Sequence, residues 1–179
     1  MIRAVLFDVD FTLARPGPEL MPEGYVSCGA RHGLALDAAK YEQARDAAFV
    51  DLQRHPELDH DEEIWIAFTE RIVLGMGGTP PASRAAAVEL TARWATHTNF
   101  ELYEDTLPTL ERLRGQGIKI GLISNSSGDV RAFAEHHALG IDADIEGPLA
   151  IGMQAVLLDR LGLHPEFAPR IATLDELRI

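Results

Sequence analysis

The pattern of apolar and polar residues divides the chain into three stretches. Residues 2–7 are short, apolar and rich in β-forming types, which predicts a strand buried in a parallel sheet. From about residue 19 to residue 97 the apolar positions follow helical spacing, and no strand pattern interrupts them. After residue 99, short apolar runs again alternate with amphipathic segments. This order predicts an α/β fold with a doubly wound, Rossmann-like parallel sheet and an inserted all-helical domain.

Start and stop signals set the predicted element boundaries. In the insert we expect helices at residues 37–54, 61–74 and 79–94, with Asp37 and Thr79 as N-caps of the first and third. The later elements are helices at residues 107–114, 129–137 and 175–177, and strands at residues 118–123 and 154–158. The predicted core domain therefore comprises residues 1–16 and 98–179, and the helical domain comprises residues 17–97.

Charge and cysteine content narrow the function classes. The formal net charge of −12 argues against non-specific binding to nucleic acid or to an anionic membrane. No apolar run approaches the roughly 20 residues of a membrane span. With one cysteine, Cys28, no disulfide can form within the chain, and we interpret this residue as a small side chain packed in a helix. The N-terminus does not resemble a signal peptide, so we expect a cytoplasmic protein. Its oligomeric state is left open.

Two carboxylates follow directly after the first strand, at Asp8 and Asp10. Ligands bind at the carboxyl ends of strands in open α/β sheets, so these residues stand where a site is expected. Two acids at this spacing can share a divalent cation of the magnesium type, or act as nucleophile and general acid. Aspartates are also common in solvated turns, and both interpretations remain open at this point.

Two motifs and their spacing resemble a known family. The segment Phe7-Asp8-Val9-Asp10-Phe11-Thr12-Leu13 resembles the first motif, Asp-x-Asp-x-Thr, of the haloacid dehalogenase superfamily. Residues 122–126, Leu-Ile-Ser-Asn-Ser, resemble its second motif, an apolar strand ending in Ser or Thr. The helical insert between them resembles the cap of many members. The one departure in the first motif is Phe11, where many relatives have Gly.

The resemblance implies a role for each matching residue. Asp8 would attack phosphorus, and Asp10 would protonate the leaving oxygen and then activate water. Thr12 would hold the loop. Ser124 would hydrogen-bond a phosphoryl oxygen, and Asn125 joins Thr12 and Ser124 in the substrate-binding group. The helix that follows would direct its N-terminus towards the anion.

The resemblance also implies a cofactor and a reaction type. Magnesium would be bound by the Asp8 carboxylate and the Asp10 backbone carbonyl, with Asp144 as a candidate third ligand. Members that cleave carbon–halogen bonds typically lack an acid at the position of Asp10. This favours a phosphatase that acts on a small phosphate monoester, with the helical insert as a lid.

Two elements of the family are not found in the sequence. The chain has two lysines, Lys40 in the insert and Lys119 at the start of a strand, and neither is placed to neutralise the nucleophile. The second acidic motif is also missing, together with a helix and the central strand expected beside Asp8; the gap falls near Asp144. Losing a central strand would expose unpaired backbone groups and would cost more than a domain's usual stability of about 5–15 kcal/mol.

Three explanations of this gap are considered. The protein carries the segment and the present sequence omits it, which is the explanation we favour; or the deletion is real and the fold rearranges or borrows a strand; or the register of the resemblance is wrong. Two alternative functions follow. One is a non-catalytic relative that binds a phosphorylated ligand or partner, and the other is a sugar-phosphate mutase of the same family.

Overall fold

A computed structural model describes residues 2–52, 62–124, 129–140, 157–158, 160, 165–166 and 168–177. Several of the sequence predictions lie wholly or partly outside these ranges: the end of the first helix of the insert, the start of the strand at residues 154–158, the site residues Asn125 and Asp144, and chain continuity near Asp144.

In the described ranges, two strands are followed by a run of consecutive helices. Strands and helices then alternate up to the last two strands, which follow one another. The strands are β1 Ala4–Asp8, β2 Ala14–Pro16, β3 Phe100–Leu102, β4 Lys119–Ile123, β5 Leu157–Leu158 and β6 Arg170–Ile171. The α-helices are α1 Pro22–Arg31, α2 Tyr41–Leu52, α3 Glu62–Gly75, α4 Ala82–Trp94, α5 Thr106–Gly115 and α6 Val130–His136. A short 3₁₀ helix, Leu174–Glu176, follows β6.

A parallel pair of strands forms the part of the sheet that carries the first motif. β1 runs alongside β4 in a register that pairs Ala4 with Lys119 and Asp8 with Ile123. β5 and β6 form a second parallel pair, and β2 pairs with β3. Among the described residues, β4 is the one strand that pairs with β1. The α/β class with parallel strands is confirmed.

The chain forms two compact units, Met1–Arg15 with Phe100–Ile179, and Pro16–Asn99. In the first unit, β1 and β4 bury Phe7 and Leu122, and α5 buries Leu110 and Leu113. Side chains spaced at helical intervals on α5 thus cover apolar surface of the unit's core.

The second unit has its own helical core. α1, α2, α3 and α4 contribute buried residues to one cluster, which includes Tyr25, Ala44, Ile72 and Leu90. The rings of Tyr25 and Tyr41 meet edge to face, with centroids 5.0 Å apart. No helix in the described ranges is both long and apolar enough to cross a bilayer.

The expected N-caps are correct at one position and wrong at the other. The Asp37 carboxylate accepts from the Ala39 N–H at 3.0 Å, although the turn it caps is 3₁₀ and the α-helix begins at Tyr41. Thr79 does not cap α4, whose N-cap is Pro81. The Thr79 backbone carbonyl, not its hydroxyl, serves this helix by accepting from the Ser83 N–H at 3.0 Å.

Candidate active site

Asp8 is the last residue of β1, at the carboxyl end of the parallel pair. Its register partner is Ile123, so Ser124 continues the chain at the same edge of the sheet. Neighbouring strands lie about 4.8 Å apart, which brings the backbones of the first and second motifs together. The structure therefore places Asp8 and Ser124 side by side, as the sequence predicts.

The loop after β1 is closed by hydrogen bonds to one carbonyl. The Val9 carbonyl accepts from the backbone N–H groups of Thr12, Leu13 and Ala14 at 3.3, 2.9 and 3.1 Å. Leu13 and Ala14 are fully buried, which fixes the end of the loop in the core. The loop therefore holds its shape by its own backbone, and Asp8, Asp10 and Thr12 all lie within it or at its start.

Phe11 occupies the tightest point of this loop. Its φ of 61° lies in the left-handed region, where a side chain with a Cβ is disfavoured. Its N–H donates to the Ala14 carbonyl at 2.7 Å, and its side chain is exposed. Where many relatives have Gly, this chain thus has a bulky residue in a conformation that glycine adopts at lower cost.

The Asp8 carboxylate is held by the hydroxyl group of Thr12. Thr12 Oγ1 donates to Asp8 Oδ2 at 3.2 Å. Surrounding protein displaces part of the hydration of this carboxylate and raises the pKa of Asp8, although the hydrogen bonds from Thr12 and the Val9 backbone act in the opposite direction. The effect of the surrounding protein therefore outweighs that of the hydrogen bonds, although Asp8 as a residue is exposed at the edge of the sheet.

Asp10 stands two residues further on and is half-buried. Its backbone forms an isolated bridge with Ala14, so the same turn that closes on the Val9 carbonyl also fixes this residue. Three of the predicted site residues, Asp8, Asp10 and Thr12, are therefore brought together by one loop, and Ser124 lies at the adjoining strand end.

Sequence reasoning did not identify a buried ion pair below this loop. Arg160 Nη1 and Nη2 donate to Asp105 Oδ2 and Oδ1 at 2.9 and 3.0 Å, and Nη2 also donates to the Thr12 carbonyl at 2.8 Å. The Arg160 guanidinium lies 3.9 Å from the centre of the Tyr103 ring. Arg160 is 15% exposed and Asp105 11%, so both charges are mostly removed from water.

The electrostatics of Asp105 follow from these contacts. Burial alone would raise the pKa of Asp105, but the hydrogen bonds from Arg160 and from the Leu174 N–H, at 3.0 Å, reverse the direction and bring the pKa below its usual value. The pair is ionised at neutral pH. Because the same guanidinium binds Thr12, it links Asp105 to the loop that carries Asp8.

Two further hydrogen bonds anchor the end of the loop. The Leu13 carbonyl accepts from the Tyr103 N–H at 3.0 Å and from the buried Thr106 hydroxyl at 2.8 Å. The segment between β3 and α5 thus holds the loop from one side, in addition to Arg160. A signal for Asp105 exists in the sequence, since an Asp before a helix suggests an N-cap, but its side chain makes no cap hydrogen bond to α5.

The anion-binding role expected for the helix after the second motif is limited by its cap. Asp129 Oδ1 accepts from the N–H groups of Arg131 and Ala132 at 2.9 and 3.1 Å. These two N–H groups are therefore used within the protein, and the cap adds negative charge at the helix N-terminus. Residues 125–128, which are nearer to Ser124 along the chain, lie outside the described residues, so a contribution of their N–H groups to phosphoryl binding stays a prediction.

Both lysines lie where the sequence suggested. Lys119 pairs with Ala4, at the opposite end of β1 from Asp8. Lys40 lies in the helical unit, 3.9 Å from the carboxylate of Asp37. Lys119 therefore does not lie beside the Asp8 carboxylate in the way that the resemblance requires, and Lys40 belongs to the other compact unit.

The parallel strands and the helices that follow them define a protein of the α/β class. The family model for haloacid dehalogenase-like hydrolases matches residues 2–173, and the chain belongs to this family. Membership indicates a hydrolase that acts on a small molecule.

Comparison with solved structures supports the fold. A HAD phosphatase from Thermococcus onnurineus is 23% identical, with a TM-score of 0.51, over 99% of this chain and 96% of that one. A 2-haloacid dehalogenase from Pseudomonas syringae pv. Tomato DC3000 is 17% identical, with a TM-score of 0.46, over 98% of this chain and 96% of that one. No curated protein matches the chain in a sequence search.

Proposed function

We propose that this chain is a magnesium-dependent phosphatase that hydrolyses a small phosphate monoester through an aspartyl-phosphate on Asp8. The observation that carries the proposal is the Asp8 carboxylate at the tip of β1, oriented by the Thr12 hydroxyl at 3.2 Å, with a second acid two residues further on. A loop with a nucleophile and a separate acid suits phosphoryl transfer, in which one bond to phosphorus forms as another breaks.

In the first half of the proposed reaction, an Asp8 oxygen attacks phosphorus and the bond from phosphorus to the leaving oxygen breaks. Asp10 donates its proton to that oxygen, so the alcohol leaves neutral. Thr12 keeps the Asp8 carboxylate in place by donating to Oδ2. The Ser124 hydroxyl, at the end of the neighbouring strand, donates to a phosphoryl oxygen.

In the second half, the Asp10 carboxylate takes a proton from a water molecule, whose oxygen attacks phosphorus. The bond between Asp8 and phosphorus breaks, inorganic phosphate forms, and both acids return to their starting states. Asp10 thus acts first as general acid and then as general base, which requires one side chain to serve both steps.

The residues present suit a divalent cation of the magnesium type. Carboxylate and carbonyl oxygens are the ligands that Mg²⁺ prefers, and the Asp8 carboxylate with the Asp10 carbonyl would supply them. When bound, the ion would neutralise charge on the attacking and transferred oxygens. Asp144 remains a candidate third ligand outside the described residues.

The helical unit is proposed to act as the lid that selects the substrate. It forms a separate compact unit, Pro16–Asn99, with its own core, as an independently placed lid requires. The identity of the phosphate monoester depends on contacts of this unit with the substrate.

The test measures phosphate release from p-nitrophenyl phosphate with and without Mg²⁺. We expect release that needs Mg²⁺ and falls by about 10³-fold or more in Asp8→Asn, as loss of a nucleophile does in other enzymes. Asp37→Asn is the matched control, because this helix-capping aspartate in the other unit can be replaced by Asn without losing the cap. Release that is equal in wild type and Asp8→Asn would refute the proposal.

A second candidate function is a non-catalytic phospho-ligand-binding protein. The observation that favours it is the position of Lys119, which lies at the opposite end of β1 from Asp8. This alternative predicts saturable binding of inorganic phosphate or vanadate without turnover of any ester. Halide release from a 2-haloacid in the same assay series would instead indicate dehalogenase chemistry.

A further inference from the structure

The helical unit contains a second cluster of ligand-type side chains, formed by Cys28, His32 and Glu89. One donor atom from each residue lies within 4.8 Å of the other two: the sulfur, a ring nitrogen and a carboxylate oxygen. Cys28 and His32 are four residues apart at the end of α1, so they share one face of that helix. Glu89 comes from α4, whose Ala86 carbonyl lies 3.7 Å from the Cys28 sulfur.

The two oxygens of the Glu89 carboxylate have different partners. Arg31 Nη2 and Arg93 Nη2 donate to Oε1 at 2.5 and 2.9 Å. The second oxygen, Oε2, lies 2.9 Å from His32 Nε2. Arg93 is also paired with Glu19 at 2.6 Å, which compensates part of its charge. Hydrogen bonds of this kind orient the carboxylate ligands of metal sites.

The three side chains of the cluster differ in burial. Cys28 is fully buried, whereas the side chains of His32 and Glu89 are 26% and 37% exposed. An ion could therefore enter from solvent between the two exposed groups and meet the sulfur beneath them. The exposed side would leave room for water as a fourth ligand.

We propose that Cys28, His32 and Glu89 bind a divalent transition-metal ion of the zinc type. Sulfur and imidazole ligands select zinc-like ions, whereas Mg²⁺ and Ca²⁺ prefer oxygen alone. Bonds of about 2.0–2.3 Å in a tetrahedral site separate donor atoms by about 3–4 Å, so small side-chain rotations bring these three donors into place. The site is distinct in chemistry and in residues from the one at Asp8.

The test is titration of the full-length protein with Co²⁺, which replaces Zn²⁺ and gives a thiolate-to-cobalt charge-transfer band. Wild type is expected to show the band at one equivalent and to lose it on addition of Zn²⁺. His32→Gln is expected to weaken Co²⁺ binding about tenfold or more, and Cys28→Ser to abolish the band. Asp8→Asn is expected to keep it, which separates this site from the active site.

His97→Gln is the matched control, since it removes another histidine of the same unit. A thermal melt without metal shows that each variant is folded. Absence of the band in wild type, or equal Co²⁺ affinity in wild type and His32→Gln, would show that the cluster is an ion-pair network only. Phosphatase activity is not expected to change in His32→Gln, so the Co²⁺ titration tests the metal site independently of the phosphate-release assay.

Discussion

The guanidinium of Arg160 binds both carboxylate oxygens of Asp105 and, through Nη2, the carbonyl of Thr12. Thr12 in turn donates its hydroxyl to Asp8. One chain of hydrogen bonds therefore runs from a buried ion pair to the proposed nucleophile. The position of the Asp8 carboxylate therefore depends on residues that lie outside the sequence motifs.

Breaking this ion pair is expected to destabilise the protein strongly. Asp105→Asn leaves the Arg160 charge buried without its counter-ion and should lower the free energy of unfolding by about 3–5 kcal/mol. Arg160→Lys should also lower the free energy of unfolding, because an ammonium group cannot form the bidentate contact with Asp105. Thermal or urea unfolding measures both variants.

The exposed pair of Arg15 and Glu101 provides the control for that prediction. Arg15 Nη2 lies 3.6 Å from Glu101 Oε2, and the two side chains are 50% and 52% exposed. Glu101→Gln should cost less than about 1 kcal/mol. Equal effects in Asp105→Asn and Glu101→Gln would contradict a structural role for the buried pair.

Asp8→Asn is expected to make the protein more stable at neutral pH while abolishing activity. The pKa of Asp8 is raised in the folded state, so its ionisation opposes folding. This penalty is absent below about pH 4, the unfolded value, and develops as the pH rises through the higher folded value. The melting temperature of Asp8→Asn should therefore exceed that of wild type at pH 7 without Mg²⁺. The difference should disappear near pH 4, and a difference that grows towards acid would have the wrong sign.

Thr12→Val is expected to displace the acid limb of the pH–rate profile to higher pH. The variant keeps the side-chain shape but removes the hydrogen bond that lowers the pKa of Asp8. Losing this bond should also cost about 0.5–1.5 kcal/mol of stability. Thr96→Val is the control, because its hydroxyl donates to the Ala92 carbonyl in the helical unit. An unchanged acid limb in Thr12→Val would count against this role of Thr12.

Phe11→Gly and Phe11→Val test the left-handed backbone of the loop. At a φ of 61°, a β-branched residue is strongly disfavoured and glycine is not. Phe11→Val should be less stable than Phe11→Gly by about 1–2 kcal/mol, in urea unfolding. Because the phenyl group is exposed, loss of packing contributes little to this difference. Equal stability of the two variants would indicate that the loop relaxes to another conformation.

The strands that carry the two motifs could be predicted because their signals are local. An apolar run ending in Asp predicts β1, and another ending in Ser predicts β4. The parallel register of the two strands then places Asp8 and Ser124 at one edge of the sheet. The cap at Asp37 follows from the same local chemistry. The prediction of Thr79 as an N-cap was wrong because α4 begins only at Ala82, after two prolines. Its first turn therefore lies beyond the reach of the Thr79 hydroxyl.

The remaining features depend on contacts between distant parts of the chain. Arg160 and Asp105 are 55 positions apart, and Arg160 and Thr12 are 148 apart, so no spacing rule connects them. β2 and β3 are only three residues long, too short for a recognisable alternation. Cys28 was correctly placed in a buried helix position, but its neighbourhood with Glu89 exists only after α1 packs against α4.

The hydrogen bonds from Arg160 and the Leu174 N–H have a consequence for synthesis of the protein. A ribosome makes Asp8 well before Arg160. During translation the nascent chain therefore contains the Asp8 carboxylate long before the guanidinium that binds its loop has been added. The geometry of that loop described above is reached only after Arg160 has left the exit tunnel.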